Sequence, residues 1–187
     1  MKMQGYNGSQ LWDTSFAAQA VADAGGAVWG AGAASGGDGG GGAGGGGGAA
    51  ARRLLTGCLR YVDTTQVDAE AEPPLEAYYR HISKGAWPFS TRDHGWPISD
   101  CTGEGFKAAA ALAQLPPEAR GGLAPLSDAR LAEAVDVILS YQNRDGGMAT
   151  YEKTRSFHAL EVRRDLFLRS FGGVVGSAYH IRISSRL

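Results

Sequence analysis

The chain has 187 residues, enough for one domain with a sizeable core, and a formal net charge of −1. That balance excludes a global field that would draw it to nucleic acid or to acidic lipid, and no run approaches the roughly 18 apolar residues needed to span a bilayer. The abnormal residue is Gly, present 29 times and concentrated in one tract.

The start, MKMQGYNGSQLW, has neither an apolar h-region nor a cleavage site. With only two cysteines, Cys58 and Cys101, this leads to the expectation of free thiols in a reducing compartment. Residues 1–24 form a first segment. Asn7-Gly8 signals a turn, Asp13 or Thr14 can cap a following helix, and Phe16, Ala17, Ala20 and Val21 supply its buried side. Residues 25–51 are glycine-rich and cannot bury enough apolar surface to offset the entropy of ordering glycine, so they read as a flexible insertion without regular structure. A phosphate-cradling loop would need a preceding strand and a positioned Lys, and the tract has neither.

Residues 52–156 form the second segment. Helical spacing from Arg52 to about Gln66 places Leu54, Leu55, Cys58, Leu59, Tyr61 and Val62 on one side, with Cys58 read as a small core residue. Glu70 to Glu76, with Pro73-Pro74, is an acidic solvated loop, and Leu75 to Ile82 resumes a short helix. After Asp100 a buried helix carries Phe106, Leu112 and Leu115, and Pro116-Pro117 stops it. Ser127 caps an amphipathic helix whose apolar side is Leu131, Val135, Ile138 and Leu139, ended by Asp145-Gly146-Gly147. Residues 157–187 are a basic tail with no clean period, read as a poorly ordered terminus in preference to a nucleic-acid or membrane arm. Helix pairs joined by Gly/Pro-rich turns, without a period-two pattern, predict an all-α fold.

Lys84 to Glu104, KGAWPFSTRDHGWPISDCTGE, is the stretch that carries chemistry. Pro88 and Pro97 remove backbone donors and force extended backbone before them, so the rings and the Asp-Cys pair sit on irregular chain beside a helix start. Asp100 has two readings. As a helix cap it accepts backbone N–H groups and stays ionised; as an acid it is buried among apolar rings that favour its protonated form. Local sequence favours the cap. Cys101 is either its hydrogen-bond partner or a buried structural thiol. His94 lacks any metal-site spacing and is either structural or a proton acceptor, and no metal site is predicted. Trp12, Trp87, Phe89, Trp96 and Tyr151 are ordinary core candidates that would equally line a pocket for a cation, each face giving about 0.5–2 kcal/mol when desolvated.

Three runs, QGYNGSQLWDTSF, YRHISKGAWPFSTRDHGWPISDCTGEG and QNRDGGMATYE, resemble the oxidosqualene cyclases in the family's order. The DCTGE element is similar to the family's DCTAE signature, with Gly103 where Ala is usual, and Met148 stands where GGFATYE has Phe. The resemblance implies a partial α/α-barrel (toroid) and an isomerase-type cascade on 2,3-oxidosqualene that needs no cofactor. By it, Asp100 protonates the epoxide with Cys101 as its hydrogen-bond partner, and Trp12, Phe89 and Tyr151 stabilise cationic intermediates.

By the resemblance, Tyr6, His94 and Ile98 each match the residue type of the cycloartenol-forming members, where the lanosterol-forming ones typically differ in one or more. There Ile98 restricts the polycycle, and Tyr6 and His94 help position the group that takes the final proton. The resemblance also implies a monotopic protein at the endoplasmic reticulum membrane or lipid droplet surface, cytosolic side. It covers only a middle portion of the family's length and fades after about Ser156, the pattern of a truncated gene product. The expectation is therefore a segment that does not cyclise on its own. The competing readings are a lanosterol- or other triterpene-forming cyclase, a non-catalytic remnant or interaction module, and a prenyltransferase-like α-barrel, which lacks apparent zinc ligands.

Overall fold

The structure, a computed structural model, describes residues 8–24, 45–151 and 153, apart from residue 95. Tyr6, residues 25–44 of the glycine tract and the tail 157–187 lie outside the described residues. Within them every regular element is helical: α1 (Gln10–Asp23), α2 (Gly45–Thr65), α3 (Ser99–Ala113) and α4 (Asp128–Ser140), with 3-10 turns at Leu75–Tyr78 and Arg92–His94. Extended backbone is limited to isolated bridges pairing Pro88 with Pro97 and Gln142 with Met148. The all-α expectation holds.

Helix α1 starts at Gln10, earlier than an Asp13 or Thr14 cap allows. Ser9 occupies the cap position and its hydroxyl donates to Asp13 Oδ2 at 2.6 Å, so Asp13 lies in the first turn, where a carboxylate suits the positive helix end. The buried stripe is Leu11, Ser15 and Ala18; Phe16, Ala17 and Ala20 are exposed and Val21 is half-buried. The expected stripe is rotated because small residues on the other side let α1 lie close against α3. Gln19 Nε2 clasps this contact by donating to Glu104 Oε2 at 2.9 Å.

Helix α2 begins at Gly45, inside the tract expected to lack structure up to residue 51. Ala49, Ala50 and Ala51 are strong helix formers, and the packed helix that follows them supplies the nucleus from which it extends backwards. Its core side is Leu55, Cys58, Leu59 and Val62, while Leu54 is exposed, one position off the stripe. The helix expected over Leu75–Ile82 shrinks to the 3-10 turn, ended by Tyr79 in the left-handed conformation (φ 55°). Glu70 is more than a solvated loop residue. Its carboxylate accepts Ser83 N–H at 2.8 Å and Lys84 N–H at 3.0 Å, closing the acidic loop onto the central stretch.

Helix α4 ends at Ser140, with Tyr141 as its C-cap, well before Asp145-Gly146-Gly147. It buries Ala134 and Val137, followed by Tyr141, leaving Val135 and Leu139 exposed on the side expected to be apolar. Gly85 explains the rotation. A Cβ at Gly85 would lie 2.5 Å from the Glu133 carbonyl carbon, so the central stretch touches the α4 backbone and draws that face inward. Gly85 also has φ +94°, which side-chain-bearing residues rarely adopt.

The main core gathers Leu11, Ala18, Leu55, Leu59, Val62, Cys101, Ala108, Leu112 and Ala134 from the four helices, with Trp87 and Ile98 from the stretch before α3. A satellite of Ala86, Val137 and Tyr141, with Met148 and Ala149 packed on it, joins α4 to the turn that follows. Among the described residues no helix is long and apolar enough to cross a membrane.

Candidate active site

Residues 87–90 form a wedge between the starts of α1 and α3. On one side Leu11 N–H donates to Ser90 O at 3.2 Å and Trp12 N–H to Phe89 O at 3.4 Å. On the other, Ile98 N–H donates to Trp87 O at 3.4 Å and Pro88 bridges Pro97. Chain segments separated by the whole of α2 thus meet in one place. Pro88 and Pro97, which cannot extend a sheet ladder, confine the pairing to a single bridge.

The aromatic residues follow from this frame. Trp12 and Phe89 are half-buried with ring centroids 6.1 Å apart, and Phe16 stands edge-on to Trp12 at 4.9 Å. Trp87 is fully buried and its Nε1 donates to Val62 O at 2.8 Å, so it is a core residue. Trp96 is partly exposed, with the Arg80 guanidinium stacked over its ring at 4.3 Å, a cation–π contact. The turn after α4 returns to the same place: Ser99 N–H donates to Thr150 O at 3.0 Å, which sets Tyr151, 41% exposed, beside the first residue of α3. Tyr141, buried, donates its hydroxyl to Pro97 O at 3.3 Å.

Asp100 is not the cap that local sequence favoured. The cap position belongs to Ile98, whose backbone is extended (φ −132°, ψ 133°), and Asp100 is the second residue of α3. Its Oδ1 accepts the N–H of its neighbour Cys101 at 2.7 Å. The tertiary contacts at Trp87 and Thr150 take up the N–H groups of Ile98 and Ser99, and Asp100 takes up that of Cys101. Its side chain stays half-buried at the edge of the core.

Cys101 is fully buried. Burial pushes its thiol pKa up strongly, and the Asp100 carboxylate beside it pushes the same way, so both effects favour the protonated thiol, a weak hydrogen-bond donor. Cys58 is likewise raised by burial, and both cysteines are free. No group of three metal-ligating side chains occurs among the described residues.

The sequence-predicted residues therefore divide. Trp12, Phe89, Ile98, Asp100 and Cys101 come together around the starts of α1 and α3, with Tyr151 beside them. Ile98 is almost wholly buried, 4% exposed, and packs in the core. His94 ends the second 3-10 turn. Sequence reasoning passed over Thr102, whose hydroxyl bonds both the N–H and the carbonyl of Trp87. A Thr in a helical run carries no signal of a partner fifteen residues upstream.

An all-α segment with an Asp-Cys pair at an uncapped helix start, beside an aromatic wedge, carries the motif runs of the oxidosqualene cyclases, and by sequence the chain belongs to that family as a partial chain. It is 44% identical to the cycloartenol synthase of Dictyostelium discoideum over 86% of its own length and 19% of that protein. It is 40% identical to the lanosterol synthase of Mus musculus over 87% of its length and 19% of that protein. The alpha-onocerin synthase LCD of Lycopodium clavatum matches at 33% over 81% and 17%. The chain thus spans about a fifth of the length of the curated relatives it matches. No family model matches it.

Proposed function

We propose that this chain is the acid-bearing segment of an oxidosqualene cyclase, an intramolecular transferase. In a complete enzyme Asp100 would protonate the epoxide of 2,3-oxidosqualene, starting a carbocation cascade of ring closures and 1,2-shifts that one deprotonation ends. The observation that carries this reading is the start of α3. Asp100 lies in its first turn outside the cap position, half-buried beside the buried Cys101, whose N–H its Oδ1 accepts.

Trp12, Phe89 and Tyr151 would face the cationic intermediates, and the segment would form part of an α/α toroid. The preferred product is cycloartenol, on the residue types at Tyr6, His94 and Ile98; lanosterol or another triterpene is the alternative. Membrane or lipid droplet association on the cytosolic side belongs to the same reading, since the substrate is a water-insoluble lipid. Alone, the segment would lack the facing walls that the family resemblance implies for a closed cavity. Water would then reach any cation.

The test is a complete cycloartenol synthase in which this chain replaces the corresponding segment, assayed with 2,3-oxidosqualene and gas chromatography. Cyclised product is expected from the chimera and none from the chimera carrying Asp100→Asn. The 187-residue chain by itself is expected to yield none. Normal turnover in the Asn variant would remove Asp100 from the acid role. A folded chimera without product would leave the remnant reading standing.

A further inference from the structure

Both ends of the turn that carries Asp100 are tied to one residue. Two positions before it, Ile98 N–H donates to Trp87 O at 3.4 Å. Two positions after it, the Thr102 hydroxyl accepts Trp87 N–H at 3.1 Å and donates to Trp87 O at 3.3 Å. Trp87 is in turn immobilised from two other directions. Its indole donates to Val62 O at 2.8 Å near the end of α2, and its ring lies against Gly105, where a Cβ would come within 2.7 Å.

Thr102 and Trp87 are both fully buried. The Trp87 N–H belongs to no helix and no ladder, so losing the hydroxyl would leave a buried donor unsatisfied, at a cost of about 1–3 kcal/mol. Thr102 N–H meanwhile keeps its helical bond to Ile98 O at 2.8 Å. The hydroxyl is therefore unnecessary for making the helix. It joins the helix to the wedge. A Thr or Ser hydroxyl is the group that can both accept from an amide and donate to the carbonyl of the same residue; Val has the same shape and can do neither.

We propose that Thr102 is a positioning residue for the proton transfer: with Ile98 it brackets the first turn of α3 against the Trp87 main chain and so fixes where the Asp100 carboxyl points. This rests on the reading of Asp100 as the acid, and two measurements keep the two ideas apart.

In the intact 187-residue chain, the rate of N-ethylmaleimide labelling at Cys101 and Cys58 is followed by mass spectrometry. Thr102→Val is expected to speed Cys101 relative to Cys58 on the order of tenfold, the equivalent of one buried hydrogen-bonded contact released locally. In the chimera, Thr102→Val is expected to lower kcat on the order of 100-fold with KM unchanged, since misplacing a reacting group by about 1 Å has that effect. Thr102→Ser, which keeps the hydroxyl, is expected to restore both readouts, and it carries the test alone if the Val variant does not fold.

Equal acceleration of both cysteines, an unchanged kcat in Thr102→Val, or a Ser variant that loses kcat with its hydroxyl present would each overturn the proposal. Turnover that survives Asp100→Asn would instead overturn the acid reading, while the labelling ratio would still report whether the bracket exists.

Discussion

Helices α3 and α4 are of similar length and start by opposite devices. Helix α4 starts locally: Ser127, extended at ψ 154°, accepts Arg130 N–H through its hydroxyl at 3.4 Å. Helix α3 starts at Ile98, an apolar residue with no capping side chain, and is held there by Trp87 and Thr150, distant in sequence. A local cap uses up a polar side chain at the helix start. Fixing the start from outside lets the apolar Ile98 stand at the cap position of α3, while Asp100, two residues on, bonds the N–H of its neighbour Cys101. Helix α3 thereby depends on the integrity of the whole fold, whereas α4 carries its own start signal.

The largest effect that would sharpen this contrast is loss of the distant anchor. Trp87→Ala should destabilise the chain by about 3–5 kcal/mol, the range for removing a buried Trp, as read by urea denaturation. It should unfold α3 and α2 together, because the indole bond to Val62 disappears with the ring. Gly105→Ala should follow at about 1–3 kcal/mol, since the added Cβ would lie 2.7–3.0 Å from the buried Trp87 ring and force it to move.

Ser127→Ala tests the other side of the comparison. It should cost about 1 kcal/mol, the usual value of a lost N-cap, and hydrogen exchange should show the loss confined to the first turn of α4. The same exchange pattern in α3 would mean that the two starts are not independent. Gly103→Ala should stabilise the chain by roughly 0.5–1 kcal/mol, because a Cβ there meets nothing within 4 Å and Ala is the better helix former. A destabilised Ala variant would show that Gly103 has a role beyond that of a weak helix residue.

The pH dependence is smaller in the physiological range and has a definite sign. The Cys101 pKa is raised in the folded chain, so the native state holds its proton where the unfolded chain has lost it. Its contribution is fully present below the ordinary thiol pKa, near 9, and is lost as pH rises above it. The slope is at most about 1.4 kcal/mol per pH unit for one thiol. Cys101→Ser should flatten the alkaline fall in Tm, and an unchanged profile would mean that other groups cause it.

The helices were written in local sequence. Ser127 before an apolar run, Pro116-Pro117 after one, and the spacing of Leu55, Cys58, Leu59 and Val62 are local signals, and each marks a real feature of a helix. The residues of the wedge were also legible, because prolines and aromatic rings crowded between two helices have no use in a plain element. Tertiary structure decided which way each helix faces and where α3 starts. Phe16, Leu54, Val135 and Leu139 are as apolar as the residues that were buried in their place. The choice fell to close contacts of Ser15, Ala18, Gly85 and Gly105, small residues whose value lies in what can approach them. Asp100 is the clearest case. Read alone, an Asp before a helix is a cap; only the bond from Ile98 N–H to Trp87 O, across eleven residues, moves the cap position and leaves the carboxyl with its neighbour Cys101.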